Sequence, residues 1–141
     1  MSCYNCGGKI MKLPTMFDWY QERTAETAIY GDSIWKLLYS SGVLKDSSNV
    51  ARLLRISYVG MGLGEVGEIQ NKLKKIIRDS EGVITEQVKD AIKGEIGGAL
   101  WYLSQLCNEL EIKLGDCAEY NVEQLASRAK RNVLKGSGDN R

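Results

Sequence analysis

Apolar residues recur along most of the chain at intervals of three and four positions, the spacing of one face of an α-helix. The clearest stretch runs from Asn49 to about Asp79, and its apolar positions are Val50, Leu53, Leu54, Met61, Val66, Ile69, Leu73, Ile76 and Ile77. A second stretch begins at Thr85, which can cap a helix, and continues to about Leu114. Its apolar positions are Val88, Ile92, Ile96, Ala99, Leu103, Leu106 and Leu110. No segment shows the sustained alternation of a β-strand, so the pattern predicts an all-α fold.

Shorter periodic stretches lie on either side of these two. Thr15 is expected to cap a first helix that reaches roughly Tyr30, with Asp18 in its first turn. Residues 31–48 are interpreted as a connection that holds a short helical piece at Ile34–Tyr39.

A last helix is expected to begin at Asp116, after Gly115 ends the preceding one, with Asp116 and Glu119 as a variant capping box. The chain is therefore predicted to be a bundle of four to five helices over residues 15–135. An N-terminal arm, residues 1–14, precedes it, and a phosphate-binding or flexible tail, residues 136–141, follows it.

Four glycines interrupt the predicted helix over residues 49–79, at Gly60, Gly62, Gly64 and Gly67. Each weakens a helix by about 1 kcal/mol relative to alanine. They either permit close packing against another helix or mark a break before Leu63.

Composition excludes several classes of protein. The 141-residue chain has a net charge of +1 and no histidine, which rules out a Ser-His-Asp triad and a His-ligated zinc or haem. A nearly neutral chain carries no electrostatic footprint for a nucleic-acid polymer, and no apolar run reaches the roughly 18 residues of a transmembrane helix. With four scattered cysteines and no leader, we expect a cytoplasmic protein, in the host cytoplasm if the source is viral.

Acidic residues form an imperfect repeat across the two long helices. Glu65 and Glu68 stand three apart, and Glu95 stands thirty residues after Glu65, with Gly98 where a fourth acid would match. By helical phase, each acidic motif lies about 60° from the centre of its apolar stripe, at the border of the core. Because crowded carboxylates repel unless a hard cation separates them, this pattern favours a divalent metal site between two helices.

Three segments resemble a known family: GLGEVGEIQNKLKKIIRD, KGEIGGALWYL and the terminal GSGDNR. They are similar to the MazG-like all-α nucleoside triphosphate pyrophosphohydrolases, above all the short single-domain forms of phages and bacteria. The likeness runs from about Tyr20 to Arg141. The family pattern is Glu-x-x-Glu, a spacer, then Glu-x-x-Asp; Glu65, Glu68 and Glu95 match it, and Gly98 departs from it.

The resemblance implies a metal-dependent enzyme that hydrolyses a (deoxy)nucleoside triphosphate to the monophosphate and pyrophosphate, in nucleotide-pool control. Glu65, Glu68 and Glu95 are then the expected catalytic residues and the ligands of Mg²⁺ or Mn²⁺. The family's aspartate helps to hold magnesium, so Gly98 leaves a second hypothesis open: a nucleotide-binding regulatory protein with weakened or lost catalysis. A helical interaction module without a nucleotide is the third.

Charged, polar and aromatic residues outside the acidic motifs are the expected nucleotide contacts. They are Lys72, Lys75, Tyr102, Asn121, Arg128, Arg131, Ser137, Asp139 and Arg141. Each has a structural alternative: a solvated helix face for the two lysines and Asn121, core packing for Tyr102, and a flexible tail for the residues from Arg128 onward.

The expected partners are a nucleoside triphosphate and further copies of the chain. A thin bundle exposes apolar surface unless chains associate, and the resemblance also implies a homodimer or homotetramer with sites near helices of adjacent chains. Its phage members suggest dGTP or dCTP as the substrate; no membrane partner is expected. Cys3 and Cys6 resemble half of a zinc knuckle. Either two chains share one zinc ion through them or the pair has no metal role.

Overall fold

The computed structural model describes residues 3–4, 10–11, 15–42 and 48–133. Within these ranges the chain forms six α-helices and one short antiparallel pair of strands, in which Cys3 lies opposite Met11. The elements are β1 (Cys3–Tyr4), β2 (Ile10–Met11), α1 (Met16–Ala25), α2 (Tyr30–Ser40), α3 (Ser48–Gly62), α4 (Glu65–Asp79), α5 (Glu86–Leu110) and α6 (Leu114–Lys130). The prediction of an all-α fold is confirmed, with one more helix than the four to five expected.

Helix α5 is the central element of the bundle. It has 25 residues and is therefore roughly 37 Å long. Helices α1, α3 and α4 pack along it, α2 packs on α3, and α6 contacts both α1 and α5. The position of a side chain along α5 therefore decides which of these helices it contacts.

The first helix ends at Ala25, not near Tyr30 as predicted, and α2 is longer than the short piece expected over residues 34–39. Two backbone turns redirect the chain: the Thr27 amide donates to the Thr24 carbonyl, and the Ala28 amide donates to the Ala25 carbonyl. The Trp101 indole N–H donates to Thr27 Oγ1 at 2.8 Å. The end of α1 is thus fixed by a contact with α5, which the local sequence does not show.

The predicted helix over residues 49–79 is divided at Leu63 and Gly64, so the predicted break is present. The Tyr102 ring of α5 lies directly over Gly62, where a β-carbon would collide with it. The backbone amides of Leu63 and Gly64 bond to carbonyls three residues earlier. The close approach of α5 and the weak helix propensity of glycine therefore act at the same place.

Side-chain caps begin two of the helices as predicted, but α6 begins differently. Thr15 forms a capping box with Asp18 at α1, and Thr85 accepts from the Val88 amide at α5. Helix α6 begins at Leu114 instead of Asp116, and Lys113 at its N-cap makes no side-chain capping bond. Instead, the Asp18 carboxylate of α1 lies against Gly115. The first turn of α6 is therefore in contact with a side chain from a neighbouring helix.

The core of the single chain is small. Among the described residues, eight hydrophobic ones are buried: Tyr30, Leu38, Ala51, Val59, Ile76, Ala99, Cys107 and Leu114. Many large hydrophobic residues are exposed, among them Ile29 and Ile77, each with 78% of its surface accessible. None of the helices in the described ranges is both long and apolar enough to cross a membrane. Apolar surface therefore remains for contacts with other molecules.

Candidate acidic site between helices α4 and α5

Helices α4 and α5 form an antiparallel hairpin that aligns the two acidic motifs. The turn between them contains Gly82, whose φ of 81° is in the left-handed region that favours glycine. Contacts between Glu65 and Gly98 and between Lys72 and Glu95 fix the register. This register brings the motif on α4 opposite the motif on α5.

Glu65 is the first residue of α4 and lies half-buried against α5. A β-carbon built on Gly98 would lie 3.4 Å from Glu65 Oε2. The Glu65 carboxylate therefore borders the position where a fourth acid would project. Two carboxylates at that distance would repel each other unless a cation lay between them.

Glu95 is held by a lysine from the opposite helix. Lys72 Nζ lies 3.1 Å from Glu95 Oε1, and the two side chains are 30% and 23% exposed. This separation is that of an ion pair. Since both groups are largely shielded from water, their attraction is less screened than that of a surface pair.

Glu68 stands one turn after Glu65 on α4 and is exposed. The hairpin register places it between the Glu65–Gly98 and Lys72–Glu95 contacts, near the level of Glu95. Both Glu65 and Glu68 lie in the first turn of α4, where the helix dipole favours negative charge. We call Glu65, Glu68, Lys72 and Glu95 the acidic groove.

The acidic groove has the donor chemistry of a magnesium or manganese site. Its donors are carboxylate oxygens, which suit these hard ions better than zinc. In the described part of the chain, however, no three Asp, Glu or Cys side chains converge closely enough to hold a metal ion. Glu95 would have to exchange Lys72 for a metal, and Glu68 would have to turn toward the groove. The residue types therefore fit the ion, while their present rotamers do not enclose it.

An aromatic cleft lies one helical turn from Gly98. It has a volume of about 200 Å³ and is lined by Thr27, Ile29, Tyr30, Ser33, Ile34, Tyr58, Trp101 and Tyr102. Tyr30 stacks on Tyr58 at a ring separation of 5.3 Å, and Trp101 meets Tyr102 edge-on at 5.0 Å. Tyr102 is thus both a packing residue and a wall of the cleft. Tyr58 was missed in the sequence because its place in the cleft depends on α2 packing against α3.

The other predicted nucleotide contacts are less concentrated. Lys75 is exposed, and together with Lys72 it lines a separate pocket near the turn between α4 and α5. Asn121 is exposed on α6, Arg128 is half-buried, and Arg131 follows the helix. The main contacts of α6 are with α1 and α5, whereas α4 packs chiefly on α5. Ser137, Asp139 and Arg141 lie outside the described residues.

A second carboxylate cluster on α5 was not foreseen from the sequence. Both oxygens of Glu109 accept from Arg55 Nε, at 2.9 and 3.0 Å, and Oε1 also accepts from the Tyr30 hydroxyl at 2.9 Å. Burial, followed by the bond to Glu109, raises the pKa of Tyr30 well above its usual value. We call Tyr30, Arg55 and Glu109 the Glu109 cluster; it joins α2, α3 and α5.

The chain is similar to a bacteriophage protein. The chain is 42% identical over 125 residues to the "Gene 37 protein" of Mycobacterium phage L5; the match spans 88% of this chain and 97% of that protein. No protein-family model matches the chain, and no solved structure gives a significant match.

Proposed function

The chain belongs to the same family as the Gene 37 protein of phage L5, and we propose that it hydrolyses a (deoxy)nucleoside triphosphate to the monophosphate and pyrophosphate. A Mg²⁺ or Mn²⁺ ion held by Glu65, Glu68 and Glu95 would neutralise the phosphates and lower the pKa of an attacking water. Glu65 or Glu68 would accept the proton of that water.

Support comes first from the alignment of the two acidic motifs by the α4–α5 hairpin. The Glu65 carboxylate lies at Gly98, and Glu95 lies one turn earlier on α5. Here they share one border of the core, where partial desolvation strengthens the attraction of carboxylates for a cation.

The aromatic cleft supplies a place for a base. Tyr102 follows Gly98 by four residues on α5, a rise of roughly 6 Å along the helix axis. Stacked tyrosine rings and an indole edge suit a planar heterocycle, and the groove would then hold its phosphates. The base and the phosphates of one nucleotide would then occupy neighbouring places along α5. dGTP and dCTP are the first substrates to test.

A homodimer or homotetramer completes this proposal. Helices α2 and α3 expose Leu37, Tyr39, Leu53 and Met61, an apolar surface that a second copy of the chain would cover. Since α6 does not pack mainly on α4, Asn121, Arg128 and Arg131 would approach the phosphates from the adjacent chain. Such an assembly would act on the nucleotide pool of the host cytoplasm.

Two features favour a second candidate, a nucleotide-binding protein with little or no turnover. Gly98 supplies no fourth carboxylate, and Lys72 already neutralises Glu95. A groove with fewer free carboxylates holds a metal more weakly, while the aromatic cleft is unaffected. Under this candidate the protein would bind the triphosphate and release it unchanged.

Pyrophosphate release separates the two candidates. The purified full-length protein is incubated with each of the eight common nucleoside triphosphates and with Mg²⁺ or Mn²⁺, and the monophosphate and pyrophosphate are quantified by chromatography. We expect one nucleotide to be hydrolysed, with loss of activity in Glu65→Gln. Glu86→Gln, an exposed acid at the start of α5, is the matched control.

Nucleotide affinity tests the second candidate. If no triphosphate is hydrolysed but one of them raises the melting temperature with metal present, the binding protein is supported and the enzyme is contradicted. If no nucleotide changes the melting temperature and none is hydrolysed, both nucleotide functions are wrong. Light scattering at micromolar concentration tests the assembly, which a monodisperse monomer would contradict.

A further inference from the structure

We propose that Lys72 is a counter-cation built into the acidic groove, so that the groove of this chain takes one divalent ion and resists a second. The inference rests on the proposed function, because it concerns the same carboxylates. In the proposed function, the three glutamates supply the metal ligands. The inference adds Lys72 as a residue that limits metal binding.

The position of Lys72 supports this role. Its ammonium lies 3.1 Å from Glu95 Oε1 across the hairpin, and more than two thirds of each side chain is shielded from water. A metal ion that binds Glu95 must displace this ammonium or share the carboxylate with it. Because like charges repel strongly at short range in a partly buried site, Lys72 opposes every additional positive charge near Glu95.

Charge balance in the acidic groove points the same way. Three glutamates and one lysine leave a formal charge of −2, which one divalent ion neutralises. A groove with a fourth acid at position 98 and no lysine would carry −4, the charge of two such ions. Gly98 and Lys72 therefore both lower the positive charge that is needed to neutralise the groove.

The other cations of α4 do not share this position. Lys75 is exposed and lies close enough to Asp79 to lower its pKa, and Arg78 pairs with Asp79 at 2.6 Å. Lys74 is exposed and is two residues from Lys72, about 200° round the helix. Lys74 is thus a matched control, since it has the same charge on the same helix without facing the groove.

The test is a titration of the nucleotide-free protein with Mn²⁺, in which free Mn²⁺ is measured by electron paramagnetic resonance. Wild type is compared with Lys72→Met, Lys72→Gln, Lys72→Arg and Lys74→Met, all checked for wild-type helicity. We expect the two neutral Lys72 variants to bind a second ion, or to bind the first at least tenfold more tightly. Lys72→Arg and Lys74→Met should titrate like wild type.

Failure of this inference differs from failure of the proposed function. Identical titrations of wild type and both neutral Lys72 variants overturn the role of Lys72, as does an equal gain in Lys74→Met or no Mn²⁺ binding in any variant. Pyrophosphate release is measured separately on the same preparations. If wild type releases none but the Lys72 variants still gain Mn²⁺, the groove is a cation site and the enzymatic proposal is wrong.

Discussion

Two glutamates on helix α5, Glu95 and Glu109, are each paired with a cation, but the completeness of the pairing differs. Glu109 is only 12% exposed, and both of its oxygens accept from Arg55 while one also accepts from Tyr30. Glu95 is 23% exposed and meets Lys72 through Oε1. The Arg55 Nε–H, shared by both oxygens, and the Tyr30 hydroxyl together hold the Glu109 carboxylate in one geometry, whereas a flexible ammonium can yield to another cation.

The difference separates a structural carboxylate from one that is suited to bind a ligand. The Glu109 cluster joins three helices and satisfies its charges internally, so it contributes to stability. The acidic groove gathers three acids with one lysine, so it retains an attraction for cations. Substitutions in the two regions should therefore change different measurements.

The largest expected effect is on catalysis in the acidic groove. Glu65→Gln removes a charge that the proposed metal requires, and we expect pyrophosphate release to fall about 10³-fold, equivalent to ~4 kcal/mol of transition-state stabilisation. The free energy of unfolding should change by less than about 0.5 kcal/mol, because the amide keeps the shape of the side chain. Steady-state rates and a urea titration measure the two quantities. Wild-type turnover in this variant would remove Glu65 from the mechanism.

The Glu109 cluster should respond in the opposite way. Glu109→Gln leaves Arg55 without its carboxylate in a partly buried place, and we expect a loss of about 3 kcal/mol in the free energy of unfolding. The melting temperature should fall by roughly 10 °C, with the pyrophosphate release per folded molecule unchanged. Glu111→Gln is the control, since Glu111 is exposed and meets Arg52 at 3.2 Å. If the two variants are equally stable, the cluster does not hold the helices together.

Two glycines of α3 sharpen the distinction between packing and propensity. Gly62→Ala forces the Tyr102 ring away from α3, and we expect a loss of about 2 kcal/mol from overpacking. A β-carbon on Gly60 meets no atom within 4 Å, so Gly60→Ala should gain about 0.5–1 kcal/mol from helix propensity. Urea titrations of both variants provide the comparison. A stabilising Gly62→Ala would show that Tyr102 is not held over the break.

Part of this arrangement could be predicted from the sequence. The caps at Thr15 and Thr85 and the stripes of the long helices follow from local chemistry and helical periodicity. Periodicity also places Glu65 and position 98 at the border of the core. The end of α1 could not, because no glycine or proline marks it. It is set by Trp101, which lies 74 residues away in the sequence.

The partners of the charged side chains were also beyond the reach of periodicity. Pairing of Lys72 with Glu95, and of Arg55 with Glu109, depends on the height at which two helices meet. Hydrophobic stripes give the face of a helix but not its offset along a neighbour. The start of α6 is similar, since Gln21 of α1 accepts from the Leu114 amide at 2.8 Å, a contact that α6 itself does not encode.

A smaller change should make the acidic groove more like a complete metal site. Gly98→Asp adds a carboxylate beside Glu65, and we expect about tenfold tighter Mn²⁺ binding, equivalent to ~1.4 kcal/mol. Turnover should rise if the missing acid limits catalysis. Gly97→Asp, where a β-carbon would meet no atom within 4 Å, is the control. An unchanged Mn²⁺ affinity in Gly98→Asp would show that position 98 does not border the ion.

The smallest expected effect concerns Asp18, whose carboxylate contributes to stability, as that of Glu109 does. Its Oδ2 accepts from the Thr15 amide at 2.7 Å and from the Thr15 hydroxyl at 3.0 Å. The Thr15 amide is the largest cause that lowers the pKa of Asp18 below 3.8, and the nearby Gly115 amide adds to it, although Oδ1 makes no well-formed hydrogen bond.

Because the pKa of Asp18 is lower in the folded chain, its contribution to stability is complete above the unfolded value of 3.8 and is lost as the pH falls through the folded value. Asp18→Asn should cost less than about 1 kcal/mol at neutral pH, as for other helix caps. The difference in the free energy of unfolding between wild type and Asp18→Asn should then shrink as the pH falls below 3.8. Urea titrations on both sides of that pH measure it, and a difference that is constant or grows in acid would show that Asp18 is not stabilised as a carboxylate.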